Sequence, residues 1–105
     1  MNEKREILRL LMEKDLVKAR ERLGKIDWEK LRKYDKGYLT ALRGMLKALE
    51  RKDRRFFINR LEEEELNKVL KNFEETKKIH RQIAPEDIIG FLDAWIDYLR
   101  ERGMK

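Results

Sequence analysis

Cysteine and serine are both missing from this 105-residue chain, while proline, histidine and glutamine each occur once, at Pro85, His80 and Gln82. Without cysteine there is no disulfide and no thiolate metal site. Nucleophilic catalysis lacks its usual parts, because Thr40 and Thr76 have no histidine beside them to act as base. A lone histidine cannot build a histidine-rich metal centre, and the Glu-x-x-His pairs of carboxylate-bridged di-metal bundles do not occur. His80 therefore reads as a surface or loop residue. No glycine-rich phosphate loop, zinc-finger spacing or RNA-recognition signature is present, so no cofactor and no metal are expected. No apolar run approaches the ~20 residues of a membrane span. The opening MNEKREILRL lacks the apolar core of a signal peptide. The expectation is a cytoplasmic protein without membrane contact.

What is present is charge. Asp, Glu, Lys and Arg make up 46% of the residues, against 41% hydrophobic, enough apolar content for a folded chain. Interleaved charges with few labile residues suit a hyperthermophile's protein, in which ion-pair networks become less costly. The length fits one domain over residues 1–105. The net charge of +6 is uneven: residues 1–60 hold 19 Lys and Arg against 10 Asp and Glu, residues 61–105 hold 8 against 11. Such a division suits a basic binding face, or two halves that attract each other.

The most informative stretch is GYLTALRGMLKAL, residues 37–49, where only Arg43 and Lys47 are charged. Leu39, Leu42, Leu46 and Leu49 recur at the period of a buried helical stripe. Ala41, Gly44 and Ala48 form a second stripe of small residues, expected to let a neighbouring backbone come close. A helix apolar around most of its girth is surrounded by other helices. The predicted fold is all-α: a compact bundle of five or six helices around a central helix at about 36–51.

Around it, Ile7, Leu8, Leu11 and Met12 share one face of a first helix, and Asp15 reads as the N-cap of a second that ends near Gly24. The phrase LLMEKDLVKARERLGKI resembles the helical hairpins of tetratricopeptide-like repeats. No period of about 34 residues follows, and no function is carried across. Asp27 is expected to cap a short helix reaching about Tyr34, and Asp35 to cap the central one. After Asp53, the step from Leu61 to Leu66 breaks the phase across Glu62–Glu65, leaving open whether 53–80 is one helix or two. Ile79 and Ile83 are expected to anchor its end. Pro85, Glu86 and Asp87 mark the start of the last helix, with Ile88, Leu92, Trp95 and Leu99 as its inner stripe.

Three features bear on function. Arg51, Lys52, Arg54 and Arg55 stand beside Phe56 and Phe57, a grouping able to hold phosphates while a ring stacks on a base. The last helix carries more apolar surface than one stripe needs, so Ile88, Phe91, Leu92, Trp95, Tyr98 and Leu99 are candidate contacts for a partner or a second copy. Asp93 and Asp97 share a face but read as the solvated side opposite Trp95, and Glu62–Glu65 as a solvated acidic run. The expected function is non-catalytic: a small interaction or adaptor protein, self-associating through its C-terminal helix. Nucleic-acid binding by the basic N-terminal half, around Arg51–Arg55, is the alternative.

Overall fold

In the computed structural model, residues 3–52, 58, 63–81 and 83–103 are described. They form five α-helices and one 3-10 turn, with no strand among them: α1 Glu3–Met12, α2 Leu16–Gly24, the turn Trp28–Lys30, α3 Lys33–Arg51, α4 Glu63–His80 and α5 Glu86–Gly103. The chain is an all-α bundle. α3 packs against α1, α2 and, most extensively, α5, while α4 joins the bundle chiefly through α5.

The apolar periodicity of α3 translates directly into burial. Leu39, Ala41, Leu42, Met45, Leu46 and Ala48 are all buried. They meet Ile7, Leu8, Leu10 and Leu11 of α1, Ala19 and Leu23 of α2, and Ala94, Tyr98 and Leu99 of α5 in one continuous core cluster. Each fully buried leucine or isoleucine contributes about 1.5–3 kcal/mol, so the shared stripe holds the helices around α3.

Between α1 and α2 the chain turns as its residues require. Lys14 takes a left-handed conformation, with φ 59°, and the Asp15 side chain accepts from the Lys18 N–H. That contact satisfies one of the free amides at the start of α2. Two other caps differ from expectation. The segment after Asp27 completes only the turn Trp28–Lys30, and Tyr34 belongs to α3. α3 begins two residues before Asp35, and its N-cap position is Arg32, without a side-chain cap. Asp35 instead sits in the first turn and pairs with Lys4 of α1 at 2.7 Å. With α3 starting earlier, the Asp35 carboxylate lies in the first turn, where the helix dipole favours it.

Glycine placement also differs. A Cβ on Gly44 would meet nothing within 4 Å, so this residue faces open space rather than a neighbouring backbone. The close approach occurs at Gly37 and Gly90. A Cβ on Gly37 would lie 1.8 Å from the Asp87 carbonyl oxygen, and one on Gly90 would lie 2.0 Å from that of Tyr34. Here α3 and α5 touch backbone to backbone. Ile79 and Ile83 are not anchors either: they are 72% and 79% exposed. The question of one helix or two over 53–80 falls mostly on residues 53–57 and 59–62, outside the described residues; α4 itself starts at Glu63.

Alanine at Gly37 or Gly90 is expected to destabilise the fold by about 3 kcal/mol, the upper range for overpacking. Alanine at Gly44 is expected to stabilise it by about 1 kcal/mol, the helix-propensity difference. Urea unfolding followed by circular dichroism measures all three; equal effects at the three positions would contradict the packing described.

Candidate functional site

α3 and α5 run in the same direction, since Tyr34 bonds to Asp93 and, one helical turn on, Tyr38 bonds to Asp97. The Tyr38 hydroxyl donates to Asp97 at 2.6 Å. Only the glycine contact brings the helices near enough for these phenols to reach across. Asp93 is therefore not on a solvated face: its other oxygen accepts from Lys77 of α4 at 2.6 Å, and its side chain is 17% exposed. Lys4 of α1 completes the group, with its ammonium 4.9 Å and 5.3 Å from the Tyr34 and Tyr38 ring centres. Four helices thus meet in one polar seam.

The electrostatics of the seam follow from burial. Burial first, and then the hydrogen bonds to Asp93 and Asp97, push the Tyr34 and Tyr38 phenols well above their ordinary value. Burial raises the Tyr98 phenol too, against an opposing effect from Arg102. Within the seam Asp93 is paired with Lys77, Lys4 with Asp35, and Asp97 accepts from Tyr38. Two clefts, of about 870 and 770 Å³, are similar in character. One contains the Lys4–Asp35 pair, the other the Glu6–Arg9 and Glu3–Arg22 pairs. Among the described residues no three histidine or carboxylate side chains gather as a metal ion would require.

The sequence candidates fall in three places. Leu92, Tyr98 and Leu99 are buried within the chain's own bundle. Trp95 is half-buried and stacks on Phe73 of α4, ring centres 5.6 Å apart. Ile88 and Phe91 stay 46% and 39% exposed. Arg51 and Lys52 are exposed at the C-terminal end of α3, whereas Arg54, Arg55, Phe56 and Phe57 lie outside the described residues. His80 is exposed in the last turn of α4, as expected, and Glu65 is exposed as well.

One surface feature was not legible from periodicity. Of the large apolar side chains left exposed among the described residues, Ile79, Ile83, Ile88 and Phe91 fall at or near the turn from α4 to α5, and Val17 lies elsewhere. Ile88 and Phe91, three apart, share a face of α5. Around them stand exposed charges of both signs: Lys78 and Arg81, then Glu86 and Asp87. Among the described residues no helix is long and apolar enough to cross a membrane.

The seam has a spectroscopic consequence. All three tyrosines have raised pKa values, so the folded state disfavours tyrosinate. Stability is fully present below the unfolded value of about 10 and is lost as pH rises above it. Tyrosinate absorbance is expected to appear in one step with alkaline unfolding rather than as a separate native titration. Tyr38→Phe is expected to cost about 2 kcal/mol at neutral pH, the value of a hydrogen bond to a charged group, and to weaken the alkaline dependence.

The chain matches no protein-family model, no curated protein and no solved structure.

Proposed function

We propose that the protein is a non-catalytic interaction module that pairs with a second copy of itself through the α4–α5 turn. The observation that carries this reading is the gathering of Ile79, Ile83, Ile88 and Phe91 at one end of the α4–α5 hairpin. Among the other described residues, Val17 aside, the large apolar side chains are buried or half-buried, so four near one turn call for a cover.

Charge favours a second copy as that cover. A partner of one sign would meet either Lys78 and Arg81 or Glu86 and Asp87 unfavourably. A two-fold-related copy sets the cations of one chain against the carboxylates of the other. The contact uses Ile88 and Phe91 from the C-terminal helix and extends to the turn, while Leu92, Tyr98 and Leu99 serve the internal core. The internal pairing of Lys4 with Asp35, Arg9 with Glu6 and Arg22 with Glu3 in the two clefts supports a non-catalytic reading.

Light scattering across a range of concentrations tests this. A dimer that persists at high salt is expected, because apolar burial is not screened. The double substitution Ile88→Asp, Phe91→Asp is expected to yield a monomer of unchanged helicity, as both side chains are solvent-exposed in the single chain. A wild-type monomer at every concentration would refute the reading.

A further inference from the structure

α3 is surrounded on most sides, and the strip it leaves to solvent is chemically uniform. Its exposed residues are Lys33, Lys36, Thr40, Arg43, Gly44, Lys47 and Arg51. The steps of three and four place them along one face. Five are cations and none is an acid. The two carboxylates of α3, Asp35 and Glu50, are less exposed and already paired, with Lys4 and Arg20.

Several cations on the other helices are paired within the chain. Arg9 pairs with Glu6 and Glu13, Arg22 with Glu3, Lys77 with Asp93, and Arg100 with Glu74. Among the described residues Lys33, Lys36, Lys47 and Arg51 have no such partner, and Arg43 lies over the Trp28 ring at 4.7 Å. Arg43 and Lys47, and again Lys47 and Arg51, are like charges four apart, an arrangement that weakens a helix. The strip extends for about 27 Å, at 1.5 Å per residue. Among the described residues no carboxylate pairs with Lys33, Lys36, Lys47 or Arg51 to offset this repulsion, so an external anion is the natural counterpart.

The middle of the strip has low relief. The fold does not need a glycine at Gly44, where a Cβ would meet nothing. The Thr40 hydroxyl is turned back to donate to the Lys36 carbonyl at 2.6 Å. A notch therefore separates Lys36 from Lys47, and a strand crossing there can come close to the helix backbone.

The geometry points to a binding surface for double-stranded nucleic acid, with the α3 strip docked on its phosphate backbone. A rigid row of charges suits a rigid, regular polyanion, which presents one charge per about 1.7 Å of duplex. Single strands are held by stacking on exposed rings, and this strip has none, since Trp28 is half-buried with Arg43 over its face. A membrane surface requires an apolar face free to enter lipid, but that of α3 is spent on the core. A row of cations on one helix face pairs first with the phosphates, which fix register without carrying sequence information. The surface is separate from the α4–α5 turn and stands whether or not the chain dimerises.

Fluorescence anisotropy with a labelled duplex of roughly 20 base pairs, titrated with the full chain at several salt concentrations, tests the assignment. Five phosphate contacts give an expected slope of about −4.5 in log K against log salt, or roughly 500-fold weaker binding between about 50 and about 200 mM. The triple substitution Lys36→Gln, Lys47→Gln, Arg51→Gln is expected to reduce the slope to about −1.8. A control with the same net charge, Lys14→Gln, Lys25→Gln, Lys71→Gln, exposed and away from both surfaces, is expected to keep the full slope. Gly44→Gln fills the notch without changing charge and is expected to weaken binding at unchanged slope. Equal losses in the two triple variants would overturn the assignment, because net charge alone would then account for binding. So would no binding at low salt, or tighter binding to a single strand, an acidic polypeptide or anionic vesicles.

Discussion

The fold depends on two glycines that allow two helix backbones to touch. A side chain at either Gly37 or Gly90 would run into a carbonyl of the opposite helix. With both positions bare, α3 and α5 lie close enough for Tyr34 and Tyr38 to reach Asp93 and Asp97. The approach has an electrostatic cost, because parallel helices bring their positive N-terminal ends together. Asp35 in the first turn of α3, and Glu86 and Asp87 in the first turn of α5, place negative charge at those ends. These first-turn acids thus make the parallel pair tolerable.

The same contact decides where α4 goes. α4 returns antiparallel to α5, with Glu74 bonded to Arg100 and Lys77 to Asp93. Phe73 stacks on Trp95 between these pairs. Asp93 is held from both sides, by Tyr34 of α3 and Lys77 of α4, so one carboxylate ties three helices together. That role explains why an aspartate on the last helix is mostly shielded from water, although its spacing from Asp97 looks like a solvated edge.

The central helix, its leucine stripe, the Asp15 cap and the start of the last helix were all legible in the chain, since each rests on local spacing. The errors share a cause. Gly44 and Gly37 are both small residues in one helix, and the periodicity of α3 cannot say which faces a neighbour; only the position of α5 decides it. Ile79 and Ile83 fit the helical period of α4, yet they fall past the part of α4 that α5 covers. The exposed cluster at the α4–α5 turn was half visible, through Ile88 and Phe91. Its other half, Ile79 and Ile83, reads as interior from the helical period. The run from Arg51 to Arg55 drew attention to basic character, but the sequence listed its cations by adjacency. A helix sorts them by face, and so the row from Lys33 to Arg51 emerges only once the buried side of α3 is known.

This sorting bears on the net charge. A surplus of +6 spread over a surface would have little directional effect beyond the screening length of about 10 Å. Here Glu3, Glu6, Glu74 and Asp93 are matched to cations on their own or adjacent helices, while α3 keeps a row of cations without a carboxylate partner among the described residues. Matching could have been extended to α3 by placing glutamates four residues before its lysines, which also supports a helix. The chain has acids enough for this: Glu62–Glu65 form a block of four elsewhere. The surplus is thus a matter of placement rather than composition. If two chains pair through the α4–α5 turn, each particle carries two such rows on one body. Engagement of one then raises the effective concentration of the other at the same polyanion, provided that the geometry lets both reach it. Weak, salt-sensitive contacts gain most from such doubling, because neither row needs to bind tightly alone.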